Sequence, residues 1–277
     1  MQSVFVDENG ELYGVKHVGN KPRVSAMSYT YDIAEGNVPD HEAYNKFGQN
    51  SAVGARLEDI WDGAAVYEYL ADDTFATMYI SSSDSDDQSI TYEVTGVDSD
   101  YSLSTVTVTL DASDGQTFVP LTSGAADDKW WRIFRVRNSS STPAVGDIYV
   151  SKDNTDTGPN GIPDNAADIQ AKILIGKEQT LMALMTIPND CCKGYMTSFY
   201  ASTSVVKATQ VEIYVRPFGG VFNVKGAISI NAGYAQHKWD FPVPVEAKSD
   251  IAIRASASGG GGIVTAGFDM WLEEVSS

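Results

Sequence analysis

The sequence predicts an all-β protein: two antiparallel β-sandwich domains, the C-terminal one jelly-roll-like, behind an extended N-terminal arm. Three observations predict it. Alternating apolar and polar residues recur in short runs separated by turn residues, at the roughly 8–12-residue spacing of a sandwich. Helical periodicity is confined to one short stretch, residues 55–61. A Pro/Gly/Asp-rich segment, 151–167, then separates two strand-dense sections, as a linker would. The expected units are an arm over 1–48, a first sandwich over 49–167 and a jelly-roll-like sandwich over 168–277.

In the arm, residues 4–6 and 12–15 flank Asn9-Gly10, the strongest short hairpin signal, because both turn positions need positive φ. Tyr29, Tyr31 and Ile33 alternate with Thr30 and Asp32 and predict a short strand. So few aliphatic residues make a poor independent core, so the arm is expected to pack on its own body or on a neighbour. The stretch 45–63 follows, and the rest of the chain is organised around it. Gly54 precedes and Gly63 ends one or two expected helical turns, with Leu57, Ile60 and Trp61 on one side. Glu58, Asp59 and Asp62 there are spaced as a solvated face and not as a catalytic carboxylate pair.

Strands are expected in the first sandwich over 76–81, 90–98, 103–110, 116–121, 130–137 and 146–150. The Thr-Val alternation of 103–110 points Val106 and Val108 inward. In 130–137 the apolar residues fall on both sides, as in a strand covered on both faces. The second sandwich is expected to hold strands over 168–176, 180–187, 194–202, 210–217, 222–230, 250–256 and 266–272. Residues 239–245 carry Pro242 and Pro244, which lack a ladder N–H, so this segment is an extended edge. Gly259, Gly260, Gly261 and Gly262 form a loop.

Composition narrows the function. The 277-residue chain has a net charge of −18, and 43% of it is hydrophobic. An acidic surface of that strength repels phosphates and anionic lipid, so neither nucleic acid nor a membrane is an expected partner. No run approaches the ~18 apolar residues of a membrane span, and the first residues lack the basic and apolar regions of a signal peptide. Synthesis in a reducing cytoplasm is expected, and Cys191 and Cys192, being adjacent, are expected to be reduced loop residues.

No hydrolase, metalloprotease, nucleotide or dinucleotide motif occurs, and no enzyme activity or cofactor is expected. Asp153, Asp156 and Asp164 offer oxygen ligands to calcium. Counted from Asp153 as an EF-hand loop, however, Thr155 and Thr157 fall where acids belong, and a linker is the expectation. His237, near Tyr234, Gln236 and Trp239, could serve a sugar site or simply pack on its neighbours. Asn138-Ser139-Ser140 matches a glycosylation sequon, which means little without a secretory signal.

Several pieces taken together carry a resemblance: Asn45-Lys46-Phe47-Gly48, Glu58-Asp59-Ile60-Trp61-Asp62-Gly63, Trp131-Arg132, Gly146-Asp147-Ile148-Tyr149-Val150, Gln179-Thr180-Leu181-Met182-Ala183, Val215-Arg216-Pro217-Phe218-Gly219, Lys248-Ser249-Asp250-Ile251 and Ala266-Gly267-Phe268-Asp269. As a set, over roughly residues 45–272, they resemble a group of tailed-bacteriophage virion structural proteins. The chain departs from that group at Ala64-Ala65, where glycines are expected, and at Cys191-Cys192. The resemblance implies a non-enzymatic particle component located in the virion, with other virion proteins as partners. A capsid-surface decoration protein, assembled as a homo-oligomer and expected to be a trimer, is the leading expectation. The alternative is a neck- or tail-associated fibre, or a receptor- or carbohydrate-binding protein. Arg216, Phe218, Trp239 and Phe241, beside prolines that interrupt pairing, are the expected subunit contact.

Overall fold

The computed structural model describes residues 4–6, 12–14, 16–18, 21–23, 29–63, 66–189 and 193–274. The chain divides into two compact units, Met1–Pro39 and Asp40–Ser277. The first holds two hairpins, β1 (Val4–Val6) with β2 (Leu12–Gly14) and β3 (Lys16–Val18) with β4 (Lys21–Arg23), followed by helix α1 (Tyr29–Ala34). The expected pairing of 4–6 with 12–14 is present; its Asn9-Gly10 turn lies outside the described residues.

Helix α1 replaces the strand expected over 29–33. Five alternating residues do not distinguish a period of 2.0 from one of 3.6. Here Ile33 is buried while Tyr29 and Tyr31 are exposed. The helix ends in a Schellman arrangement: Asn37 N–H donates to Asp32 O, Gly36 N–H to Ile33 O, and Gly36 takes the left-handed φ of +74°.

The second unit is an all-β sandwich. Its strands are β5 (His41–Val53), β6 (Glu58–Asp59), β7 (Met78–Ser82), β8 (Thr91–Asp98), β9 (Leu103–Thr109), β10 (Val119–Leu121), β11 (Trp130–Asn138), β12 (Ile148–Ser151), β13 (Ile169–Ile173), β14 (Leu184–Thr186), β15 (Lys193–Arg216), β16 (Asn223–Glu246), β17 (Asp250–Ala257) and β18 (Gly262–Glu273). One sheet runs β10-β7-β12-β13 and a second β11-β8-β9. The large sheet runs β14-β17-β15-β18-β5, with β16 beside β15 and β6 beside β17. All pairings are antiparallel.

Three expectations change. The arm does not extend to residue 48: His41–Val53 is a full strand of the large sheet, paired with β18 from His41↔Glu273 to Val53↔Gly262. Glu274 N–H also donates to Asp40 O, so this unit's first and last described residues lie side by side. The helical turns expected over 55–61 are instead a bend and the two-residue β6, because Asp59 is required in the core and not on a solvated face. Residues 151–167 are no boundary between compact units: β12 and β13, on either side of them, pair in one sheet, and one apolar core runs from Ile80 and Trp131 to Ile213 and Ile253. Strand propensity in 151–167 is broken by a surface excursion that returns to its own sheet.

β15 and β16 each span 24 residues, and each absorbs two expected strands. β15 lies against β16 along its whole length. On its other side it pairs with β18 over 193–203 and with β17 over 209–216. The change of neighbour coincides with a break in the ladder between Thr203 and Ala208, opposite Ala232 and Gly233, whose φ values are +61° and +93°. Sequence reading cut both strands at that polar break.

Candidate interaction surface

The four strands β5, β18, β15 and β16 expose one face. Directly opposed residues in antiparallel strands share a face, and so do residues two apart. The inward set, including Lys46, Phe199, Ala201, Ala266 and Phe268, is buried. The outward set is read from the register. Tyr195 lies opposite Trp271, Ser198 opposite Asp269 and Lys238, Tyr200 opposite Gly267 and Gln236, and Ser202 opposite Thr265 and Tyr234. β5 completes the rows with Ala43, Asn45, Phe47 and Gln49. Asp269 and Lys238 are the only charged side chains on these four rows, in a chain whose net charge is −18.

Cross-strand contacts hold this face in place. The Tyr195 and Trp271 rings stack at 5.3 Å with 21° between their planes. Asp269 accepts from Asn45 Nδ2 at 2.5 Å and from Ser198 Oγ at 2.6 Å. Gln236 Nε2 reaches Ser198 Oγ at 3.5 Å, and Gln49 Nε2 donates to Thr265 Oγ1 at 3.2 Å. A Cβ on Gly267 would meet Tyr200 Oη at 2.5 Å and Cζ at 2.6 Å, so the Tyr200 phenol lies across Gly267. Tyr234, 63% exposed, sits beside it with centroids 6.3 Å apart and planes 33° apart.

The residues expected at a subunit contact are distributed differently. Arg216 turns inward to Asp250. Phe218 is exposed but packs edge-on against Tyr101 and Trp131, each at 5.8 Å, with Lys248 Nζ 5.1 Å from its ring. Trp239 packs 5.6 Å from Phe199, and His237 completes a triangle of rings, 5.2 Å from Trp239 and 5.7 Å from Phe199, the packing on neighbours that was one of its two expected roles. Phe241 is 86% exposed. It stands on a bulge: Met196 pairs with Val243 and Ser198 with Lys238, so residues 239–242 bow out.

The buried charged groups are engaged within the fold. Asp250, 1% exposed, faces Thr186 on β14 and Arg216 on β15 in register. It accepts from Thr186 Oγ1 at 2.6 Å, Arg132 Nε at 3.0 Å and Arg216 Nε at 2.9 Å. Asp59 accepts from Arg254 Nε and from Tyr67 N–H, both at 2.9 Å, and burial raises its pKa despite those partners. Burial likewise pushes Asp62 up to about 7. Buried Lys46 donates to Phe134 O, and burial, with Arg135 nearby, brings its amine down to about 7. The acids considered for calcium serve the backbone. Asp156 accepts the N–H groups of Gly158, Asn160 and Gly161, and Asp164 accepts that of Thr157. Among the described residues, no three His, Cys, Asp or Glu side chains converge on one point. The expectation for Cys191 and Cys192 lies outside the described residues.

No protein-family model matches the chain, and no curated protein matches it. Solved structures give low-scoring likenesses. A mutant VP2 protein of infectious bursal disease virus is 10% identical over 91% of this chain and 81% of that one, with a TM-score of 0.19. A VP2 subviral particle of the same virus is 9% identical over 91% and 83%, at 0.20. The PBSX exported protein XepA is 10% identical over 96% and 98%, at 0.16. At such scores the strands do not superpose as one fold.

Proposed function

We propose that this chain is a non-enzymatic structural component of a tailed-phage virion, placed on the capsid surface through protein–protein contacts and assembled as a closed homo-oligomer, with a trimer as the expected state. The virion reading comes from the sequence resemblance. The contact reading is carried by one observation: Phe241, 86% exposed, raised on a bulge of the outermost strand and flanked by Pro242. A large apolar side chain held out of a strongly acidic surface is suited to burial in a partner.

Mass measurement tests the assembly. A chain of 29.9 kDa should appear at about three times that mass. A stable monomer at high protein concentration overturns the proposal. Phe241→Ala should lower assembly and leave the melting temperature unchanged. Trp239→Ala should lower the melting temperature, because its ring packs against Phe199. Unimpaired assembly of Phe241→Ala would remove this side chain from the contact.

A further inference from the structure

The outward face of β5, β18, β15 and β16 has a chemistry that particle assembly through the β16 bulge does not use. We propose that it binds an uncharged oligosaccharide lying across the strands, with Tyr200 and Tyr234 as the platform beneath the sugar rings. This goes beyond the structural role and stands whether or not the chain assembles.

Three features of the face select that ligand. The first is ring orientation. Tyr200 lies across Gly267, and the ring of Tyr234 lies beside it, tilted by 33° with centroids 6.3 Å apart. A pyranose presents a face of C–H bonds, which the electron-rich face of an aromatic ring attracts. The second is the hydrogen-bonding set. Gln236 shares the Tyr200 row, and Ser202 and Thr265 share the Tyr234 row. These neutral donors and acceptors match hydroxyls, which both give and take hydrogen bonds. The third is charge. Asp269 is already satisfied by Asn45 and Ser198; Lys238 is the one other charge on these four rows, and in the next row Lys193 is paired with Glu246 and lies opposite Glu273. An anionic glycan would meet the field of a chain carrying −18 and, on these four rows, a single cation, so an uncharged sugar is the complement.

The test uses the full chain on an array of immobilised oligosaccharides, neutral (glucans, mannans, galactans, xylans) and acidic (sialylated, sulfated, uronate-containing). Neutral members should be retained and acidic ones not. Tyr200→Ala and Tyr234→Ala should each weaken the strongest interaction roughly tenfold, the effect of removing one aromatic anchor, while Phe241→Ala leaves it unchanged. Tyr234 is on an outermost strand and 63% exposed, so its variant keeps the test open even where Tyr200→Ala does not fold. Retention of no neutral sugar, a preference for acidic sugars, or binding unaltered by Tyr234→Ala overturns the proposal. None of these outcomes changes the assembly mass, so failure here and failure of the structural role are separable.

Discussion

Asp250 gathers partners from three other strands, Arg132 on β11, Thr186 on β14 and Arg216 on β15. It is buried, and the guanidinium groups of Arg132 and Arg216 both close on it, the first reaching across from β11. Removing one partner of a buried ion pair strands the others without compensation, at about 3–5 kcal/mol. Asp250→Ala is therefore expected to lose about that much in chemical denaturation; a loss under about 1 kcal/mol would show that the arginines find water or other acceptors instead. Gly267 is constrained by space and not by φ. A Cβ there would sit 2.6 Å from the carbonyl oxygen of Lys46, which belongs to the neighbouring strand and cannot swing away. Gly267→Ala should cost about 1–3 kcal/mol, the range for overpacking, and should lift Tyr200 off the sheet. Tyrosine fluorescence and thermal melts would register the two effects separately.

β16 shows how an unshielded strand is kept from pairing at random. Among the described strands it pairs only with β15. Its ladder slips around Lys225, breaks at Ala232 and Gly233 and bows out at 239–242, and Pro242 and Pro244 remove N–H donors near its end. Interruptions, a lysine and prolines are the devices that stop edge-to-edge aggregation. The prolines made the edge position of 239–245 legible in the sequence. So were most strands, because alternation such as that of Leu103–Thr109 is a local signal. What was not legible depended on partners distant in the chain. Asp59 looked solvated because Arg254 lies 195 residues away. The residues of the aromatic face were inside predicted strands, but no single strand reveals that Tyr200 stops over Gly267 or that Tyr234 comes alongside. That knowledge is register, and register here is set by bulges and by the buried rows beneath, such as Lys46, Phe268 and Phe199.

At the scale of the whole molecule, two buried ionisable groups tie stability to pH in opposite senses. The amine of Lys46 falls from 10.5 to about 7 on folding. Between those values the unfolded chain binds the extra proton, so this group's contribution to stability rises with pH across that window and is level below 7. Lys46→Met is expected to stabilise the fold at pH 7, with the advantage shrinking as pH approaches 10.5. Asp62 works the other way. Its pKa rises from 3.8 to about 7, so the folded form holds the proton longer and stability from this group falls as pH climbs through that range. Urea midpoints of Lys46→Met and the parent chain across pH 6–10 decide the first case. A difference that does not change with pH would mean Lys46 remains charged when folded.

The juxtaposition of Asp40 and Glu274 has a mechanical meaning. The chain enters along β5 and leaves along β18, neighbouring antiparallel strands joined at that end by the His41↔Glu273 pairing. Tension applied between those two points pulls perpendicular to the strands and opens their hydrogen bonds one after another. It does not shear the whole row at once. The unit would thus tear open like a zip at low force when pulled from its ends, while tension along the strands would load many of the same bonds together.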